Sequence, residues 1–164
     1  MELKTLNDLF IHQLKDLYGA EQQLLQAMPK MEAKITSGEL KRSMARHREE
    51  TMQHITRLEK AFESLGVKPS ADKCKAMEGL LKETMDFMEE DADKPVMDAG
   101  LIACAQRVEH YEIAGYGTAC TYAKYLGHTE ALNLLKETLS EEKKTDERLT
   151  VLAESTINVK AEPH

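Results

Sequence analysis

The residues of this chain that are best suited to chemistry are carboxylates and histidines on otherwise apolar helical stripes. Glu21 interrupts a series of leucines and a methionine that are spaced three and four residues apart. Further along the chain, the same spacing groups His47, Glu50 and His54. Because side chains three or four residues apart share one face of a helix, these ionisable groups are predicted to face a helical core.

Two later segments repeat this pattern. Glu109 and Glu112 lie on one apolar stripe, and Glu142 and Asp146 lie on the next, one helical turn apart. Each of the four long helical segments thus directs at least one carboxylate towards its core side. Ionised carboxylates that cluster in a low-dielectric core repel one another, and each carries a large desolvation cost. Such a cluster needs protons or cations to neutralise it.

Two kinds of neutralisation fit these residues. No Lys or Arg falls on the four stripes near their midpoints, so a cation would have to be bound from solution. A pair of divalent metal ions would serve, and an oxygen-rich donor set with one or two imidazoles suits iron or manganese. The alternative is a protonated, hydrogen-bonded polar layer in a purely structural bundle, since native cores also contain satisfied polar networks.

Helices must position these residues, because apolar side chains recur at steps of three, four or seven nearly throughout the chain. This spacing predicts a first helix from about Thr5 to Ile35 and a second helix that stops at Gly66. A shorter helix follows, and two more long helices are predicted at 96–126 and 129–158. The alternation of apolar and polar residues that is typical of strands is not present in the sequence.

Two long helical hairpins joined by a long crossover form one of the topologies of four-helix bundles. We therefore predict an all-α four-helix bundle with one extra short helix in the crossover, packed across the bundle. A chain of 164 residues has the size of one domain, and we place this domain at 1–158. The remaining residues, 159–164, are predicted to form a disordered tail.

Composition and charge exclude several classes of function. The formal net charge of −7 opposes binding to nucleic acid, which needs a basic face. The chain has no run of about 18 apolar residues that would cross a membrane. Cys74, Cys104 and Cys120 are too few and too scattered for a disulfide framework, and residues 1–10 lack the pattern of a signal peptide. A cytoplasmic location is the resulting expectation.

Several stretches of the chain resemble the YciF-like stress-protein family, which lies within the ferritin-like superfamily. The most specific are EHYEIAGYG at 109–117 and EEKKTD at 141–146. The others include TLNDLFIHQLKDLYGAEQQL at 5–24, HREETMQHITRLEKAFESLG at 47–66 and CKAMEGLLKE at 74–83. The resemblance covers nearly the whole chain. It implies a ferritin-like bundle with a buried carboxylate-rich site, a homodimer and a link to bacterial stress.

The resemblance also implies roles for individual residues. The dimetal centre of ferritin-like bundles uses Glu from two helices and Glu-x-x-His from the other two. By this resemblance Glu21 is the first-helix ligand, and Glu50 and Glu142 are bridging ligands. Glu109, Glu112 or both bind from the third long helix, which is the fourth helix of the chain.

The histidine of each Glu-x-x-His motif is missing from its usual position. Gln53 and Thr145 stand in its place on the second and last helices. On the second helix, His54 or His47 would substitute, because both lie on the same helical face as Glu50. On the last helix, Asp146 would fill the corresponding place. The predicted centre is therefore richer in oxygen and poorer in nitrogen than is usual for such centres.

The resulting functional prediction is a ferritin-like protein with a di-iron or dimanganese carboxylate centre. Dioxygen or peroxide would meet the metal pair, so the chain is expected to handle iron or peroxide under bacterial stress. Whether it turns over as a ferroxidase-like or peroxidase-like oxidoreductase is left open by the sequence. The alternative prediction is a metal-free helical dimer or interaction module, in which the polar layer only sets the register of the helices.

Overall fold

The structure is a computed structural model that describes residues 3–162. Over these residues the chain is almost entirely helical and contains no strand. The helices are α1 (Leu6–Lys34), α2 (Gly38–Ser64), α3 (Lys75–Met88), α4 (Lys94–Leu126), α5 (Thr129–Leu152) and α6 (Asn158–Ala161), with a π-helical turn at Ala153–Ile157 between the last two. The predicted all-α bundle with a short helix in the crossover is confirmed.

Local signals in the sequence set the helix boundaries. The Thr5 hydroxyl accepts a hydrogen bond from the backbone N–H of Asp8 at 3.1 Å, and the Asp8 carboxylate accepts one from the N–H of Thr5 at 2.8 Å. This reciprocal pair is a capping box. Ser37 caps α2 through the N–H of Leu40. Helix α4 is capped by Gly127, whose φ of 77° favours glycine because this residue has no Cβ atom.

The four long helices surround two apolar clusters. Helices α1 and α5 each pack against both α2 and α4, and α3 lies across α1 and α4. Along α1, Leu17 belongs to one apolar cluster and Leu24 to the other. Along α5, Leu135 and Leu149 are divided in the same way. The polar residues predicted from the sequence lie between these pairs, so a polar layer separates the two apolar clusters.

The connection between the two hairpins crosses α1 next to this polar layer. A Cβ atom at Gly19 would lie 1.9 Å from the carbonyl oxygen of Asp72, so only glycine permits the approach. The side-chain amide of Gln23 donates to the carbonyl oxygen of Cys74 at 3.1 Å and accepts from its N–H at 2.9 Å. The crossover thereby fixes α3 against the helix that carries Glu21.

The turn between α1 and α2 is held by Asp98 on α4. This carboxylate is 3% exposed. It accepts hydrogen bonds from the backbone N–H groups of Thr36 and Ser37 at 2.8 Å each, and from the Thr36 hydroxyl at 2.7 Å. Three donors satisfy the buried charge, and the contact ties the first hairpin to the second.

At the C-terminus, helix replaces the first part of the predicted tail. Residues 159–161 are helical, because backbone bonds such as that from the N–H of Glu162 to the carbonyl oxygen of Asn158 at 3.1 Å continue the helical pattern. Residues 163 and 164 of the predicted tail lie outside the described residues. Within residues 3–162, no helix combines the length and the apolar character that crossing a membrane requires.

Candidate metal centre

Six polar residues meet between the two apolar clusters. They form two groups, and within each group one nitrogen or oxygen atom per side chain lies within 4.8 Å of the others. Each of the six residues is at most 2% exposed, and Glu142 belongs to both groups. The first group is His47, Glu109, Glu112 and Glu142, and the second is Glu21, His54 and Glu142.

His54 directs one ring nitrogen into the cluster and the other out of it. Its Nδ1 lies 2.9 Å from Glu142 Oε1 and 3.2 Å from Glu21 Oε1. Its Nε2 donates to Glu141 Oε2 at 2.9 Å, and Arg57 donates to the same oxygen at 2.6 Å. A carboxylate on the outer nitrogen is the usual support of a metal-binding imidazole, because it sets the tautomer and leaves the inner nitrogen free.

His47 enters the other group from one turn earlier on α2. Its Nε2 lies 2.8 Å from Glu109 Oε1, but neither ring nitrogen makes a hydrogen bond of acceptable geometry. Its Nδ1 is 4.0 Å from Glu50 Oε2, which is too long for a hydrogen bond. Unlike His54, His47 has no carboxylate bonded to its outer nitrogen.

Several polar atoms of the cluster are buried without partners. Both carboxylate oxygens of Glu112 and both of Glu142 lack hydrogen bonds, as do one oxygen of Glu21 and one of Glu109. Native proteins leave few such atoms unpaired, because each costs about 1–3 kcal/mol. Four carboxylates and two imidazoles are also the donors that iron and manganese accept. The residues present therefore fit a pair of divalent metal ions.

Burial and mutual repulsion change the proton affinities in the cluster. Desolvation and neighbouring carboxylates raise the pKa of Glu112 and Glu142 well above the usual range, and desolvation raises the pKa of Glu109 to about 7. Burial disfavours the charged form of His54, but Glu21 and the flanking carboxylates outweigh burial and raise its pKa. The cluster thus retains protons that a bound metal cation would displace.

Glu50 and Asp146, which the sequence predicts as ligands, lie at the edge of the bundle outside both groups. Glu50 accepts hydrogen bonds from Arg46 Nε and Arg148 Nη2, each at 2.9 Å. Burial opposes the charged form of Glu50, but these guanidinium groups outweigh it and hold its pKa below the usual value. Asp146 pairs with the exposed His110 at 3.2 Å.

Where the sequence leaves alternatives open, the cluster contains both members. His47 and His54 are both included, and so are Glu109 and Glu112. The two histidines are seven residues apart, which is close to two helical turns, so one face of α2 presents both. His47 and His54, which the sequence offers as alternatives, therefore both lie in the cluster.

Two further side chains bond to residues of the cluster, and a third lies on the face of α2 that carries its histidines. Tyr116 is fully buried and donates a hydrogen bond to Glu21 Oε1 at 2.5 Å. Glu141, the partner of His54, is adjacent to Glu142 in the sequence, but it lies off the apolar stripe, so the spacing does not predict its role. Thr51 is fully buried, and its hydroxyl has no partner. Thr51 precedes His54 by three residues, so it occupies the position of the glutamate in a Glu-x-x-His pattern. This spacing is the feature of the sequence from which its position could have been predicted.

The sequence and fold of this chain match proteins that are already known. A family model described as a domain of unknown function, DUF892, matches residues 5–162. The chain belongs to the DUF892 family. Protein YciF of Escherichia coli strain K12 is 47% identical to this DUF892 chain over 163 residues, which are 99% of this chain and 98% of that protein. The predicted membership of the YciF-like stress-protein family is confirmed.

Solved structures match the DUF892 bundle over most of its length. The crystal structure of the E. coli stress protein YciF has a TM-score of 0.91 and 46% identity, covering 95% of this chain and 99% of that one. YcfI from Rhodopseudomonas palustris has a TM-score of 0.89 and 44% identity, with coverages of 91% and 95%. A protein from Xanthomonas campestris pv. campestris, at 24% identity and a TM-score of 0.76 over 94% and 95% of the two chains, shares the fold.

Proposed function

We propose that this chain is a ferritin-like dimetal carboxylate protein that handles iron or peroxide in a bacterial stress response. The observation that carries the proposal is the sharing of Glu142 between two groups of buried donors. A carboxylate in this position would bridge two ions of iron or manganese. The remaining ligands would be Glu21 and His54 for one ion, and His47, Glu109 and Glu112 for the other.

Charge balance favours two ions over one. The cluster buries four carboxylates, those of Glu21, Glu109, Glu112 and Glu142. Two divalent cations offset four negative charges when both imidazoles are neutral, as ligation requires. A single divalent ion would leave two carboxylate charges uncompensated in the core, and buried charges without partners are strongly destabilising.

The residues of the chain would do most of the work of positioning. A reduced metal pair, when bound, would supply electrons to dioxygen or peroxide and be oxidised in doing so. The apolar clusters on both sides of the polar layer exclude water from it. Glu141 makes His54 a stronger base, whereas His47 has no such partner. We therefore expect the two ions to be held with unequal affinity.

The test is the metal content of untagged protein by elemental analysis, followed by anaerobic titration with ferrous ion. We expect about two metal ions per chain, because two groups of donors share one carboxylate. Exposure of the loaded protein to dioxygen or peroxide then tests oxidation separately, by the appearance of an oxo-bridged di-iron absorption band.

Two variants of α5 make this test specific to the cluster. Glu142→Gln should lose stoichiometric binding, because the shared ligand is removed with little change in volume. Asp146→Asn, one turn further along, should retain both ions, because Asp146 lies outside the two groups. Unchanged binding in Glu142→Gln, or no binding in the wild-type protein, would refute the proposed centre.

A metal-free helical interaction module is the second candidate. The raised pKa values of Glu112 and Glu142 favour it, because protonated carboxyl groups would form a neutral polar layer. Both oxygens of Glu112 lack hydrogen bonds, however, and Glu142 has only the 2.9 Å contact of its Oε1 with His54, whereas a stable polar layer needs hydrogen bonds throughout. This candidate predicts that neither added metal nor a chelator changes the melting temperature.

The homodimer implied by the family resemblance belongs to the same proposal. Light scattering on the metal-free and metal-loaded protein measures the particle mass directly. A mass of two chains in both states supports a constitutive dimer. A mass of one chain in both states removes the dimer from the proposal and leaves the metal centre intact, since all the ligands proposed for it come from one chain.

A further inference from the structure

Glu50 stands between the surface of the bundle and the buried cluster. Its side chain is 14% exposed, and its Oε2 lies 4.0 Å from Nδ1 of His47. That nitrogen is buried and has no hydrogen-bond partner, while the other ring nitrogen of His47 lies 2.8 Å from Glu109. Glu50, His47 and Glu109 therefore form a continuous line of metal-binding atoms from the edge of the bundle to its centre.

A guanidinium group occupies the outer end of this line. Arg148 Nη2 donates to Glu50 Oε2 at 2.9 Å and to the Thr145 hydroxyl at 2.6 Å. The Thr145 hydroxyl donates in turn to the same carboxylate at 3.2 Å. Arginine keeps its positive charge in proteins, so the carboxylate and hydroxyl oxygens already hold a cation at the point where an entering metal ion would bind.

Arg148 also borders a groove that opens to solvent. The groove has a volume of about 640 Å³ and lies between the first turns of α2 and the end of α5. Its walls include the carboxylates of Glu39 and Glu147 as well as the basic side chains of Lys144 and Arg148. We call this the entry groove, because Arg148 is in contact both with it and with Glu50.

We infer that divalent cations reach the centre through the entry groove, that Glu50 and His47 Nδ1 bind them in transit, and that Arg148 closes this route until it is displaced from Glu50. This inference rests on the proposed function, since it describes how the same centre is loaded. It also assigns a role to Glu50 that does not require it to be a permanent ligand. Arg46 holds the other oxygen of Glu50 at 2.9 Å, so the carboxylate stays in place when Arg148 leaves.

The experiment measures the rate of loading separately from its extent. Metal-free, full-length protein is mixed with Co²⁺ in a stopped-flow instrument, and the absorbance of the bound ion gives both the rate and the final stoichiometry. In Arg148→Gln we expect loading to be roughly tenfold faster with unchanged stoichiometry, because a charge-assisted hydrogen bond no longer has to break. In Glu50→Gln we expect slower loading, again with unchanged stoichiometry, because the transit ligand is lost.

Lys144→Gln is the matched control. It removes one positive charge from the wall of the same groove, whereas the carboxylate of Glu50 keeps its bonds to Arg46 and Arg148. We expect the loading rate to change by less than about threefold, since exposed charges are screened by solvent. Equal acceleration in Lys144→Gln and Arg148→Gln would mean that general electrostatics governs entry, and would overturn the role of Arg148.

Other outcomes separate this inference from the proposed centre. If wild-type protein binds no Co²⁺, the proposed function fails. If it binds Co²⁺ and both Arg148→Gln and Glu50→Gln load at the wild-type rate, the transit route fails and the centre stands. A lower final stoichiometry in Glu50→Gln would make Glu50 a permanent ligand and overturn its transit role. Circular dichroism checks folding, and Arg148→Lys, which keeps the charge but loses the planar donor group, should load at an intermediate rate.

Discussion

Helix α4 buries carboxylates in two places, and the two places differ in how the charge is satisfied. Asp98 is 3% exposed and accepts three hydrogen bonds from the turn between α1 and α2. Glu112, four turns further along, is fully buried, and neither of its oxygens has a hydrogen-bond partner. Burial of an acid is therefore not in itself a sign of function. The informative feature is a buried acid that the protein leaves unpaired.

The neighbours of each carboxylate explain the difference. Asp98 faces two backbone N–H groups and a hydroxyl, which donate hydrogen bonds to its carboxylate, so no bound ion or added proton is needed. Glu112 faces other carboxylates, among them Glu109 and Glu142, and ionised carboxylates only accept. A cation or a set of protons must bind there before the local interactions become favourable. The first region is satisfied by the fold itself, whereas the second region needs bound protons or a bound cation to neutralise it.

The largest expected effect is the response of each region to metal. Saturating Mn²⁺ should stabilise the wild-type protein by about 4 kcal/mol for each bound ion when free metal is about 1,000 times that site's Kd, which corresponds to a rise in Tm of roughly 8–16 °C per ion. Glu112→Gln should lose most of this rise, because a proposed ligand is removed. Asp98→Asn should keep the rise on a lower baseline. Calorimetry with Mn²⁺ and with a chelator measures both, and equal responses in the two variants would erase the distinction.

The free energy of unfolding of the metal-free protein should depend on pH because of the buried carboxylates that lack hydrogen bonds. The pKa of Glu109 is raised to about 7 in the folded state, above the ordinary value of about 4.3 for the unfolded chain. The folded state then binds more protons between these two values, so the free energy of unfolding should fall as pH rises through this range, by up to about 3 kcal/mol. Urea unfolding at pH 5 and pH 8 measures this fall.

The matched variant and the metal-loaded protein sharpen the pH test. Glu109→Gln should flatten the profile, because the group that releases the proton is gone. Metal should reverse the slope, since the ligands must lose their protons before they bind. Burial lowers the pKa of His47, which adds a change of the opposite sign, so the test is the difference between the wild-type and Glu109→Gln profiles. Identical profiles in the two metal-free proteins would contradict the raised pKa of Glu109.

The stability of the region around Asp98 should depend on the Asp98 carboxylate and should not depend on metal. Asp98→Ala removes three hydrogen bonds and leaves the N–H groups of Thr36 and Ser37 without their partner, so we expect a loss of about 2–3 kcal/mol in the free energy of unfolding. Asp98→Asn keeps one acceptor oxygen and should lose less. Urea unfolding in the presence of a chelator measures both losses. The same losses should be found with metal bound, and a loss that disappears with metal would place Asp98 in the metal-dependent region.

Helical periodicity predicts which faces of the bundle carry the centre, but not every residue on them. His47 and His54 return to one face at almost any rotation of α2, and Glu109 and Glu112 do the same on α4. Glu50 and its neighbour Thr51, by contrast, are about 100° apart around the helix. Which of them faces the centre depends on the rotation of α2 against α5, and packing between helices sets that rotation.

The last helix shows the same limit. Thr145 is buried, whereas its neighbour Asp146 lies at the edge, where it pairs with His110. Glu141 is harder still to predict, because its role depends on a contact with His54 on another helix. The spacing of residues within one helix contains no information about such a contact. The sequence therefore predicts the bundle and five members of the cluster, with His47 as an alternative to His54. Contacts between helices decide that Glu50 and Asp146 lie outside it.

Glu141 is a paired carboxylate that serves the unpaired cluster. Glu141→Gln should weaken metal binding roughly 10- to 100-fold, because the neutral amide no longer holds the inner nitrogen of His54 as a strong base. Competition with a chelator of known affinity measures the change. Glu137→Gln is the control, since Glu137 also binds Arg57, at 2.7 Å, but contacts Arg57 rather than the histidine. Equal losses in the two variants would assign the effect to Arg57.

The smallest expected effect concerns hydroxyl groups and extends the contrast beyond carboxylates. The buried Thr51 hydroxyl has no partner, whereas the buried Thr138 hydroxyl accepts a hydrogen bond from Arg57 at 3.3 Å. Thr51→Val should leave the metal-free protein unchanged or stabilise it by up to about 1 kcal/mol, because an unpaired polar group is replaced by an apolar group of the same shape. Thr138→Val should destabilise it by about 1 kcal/mol, because the guanidinium loses an acceptor.

Urea unfolding of both threonine variants in the presence of a chelator decides this last comparison. If Thr51→Val costs more than Thr138→Val, the Thr51 hydroxyl has a partner in solution, and a water molecule bound within the cluster would then satisfy part of the polar layer without metal. If Thr51→Val costs nothing, the position is polar for a reason other than stability. Thr51 shares a face of α2 with His47 and His54, so a contact with the metal ions proposed for the cluster would then explain why this residue is polar.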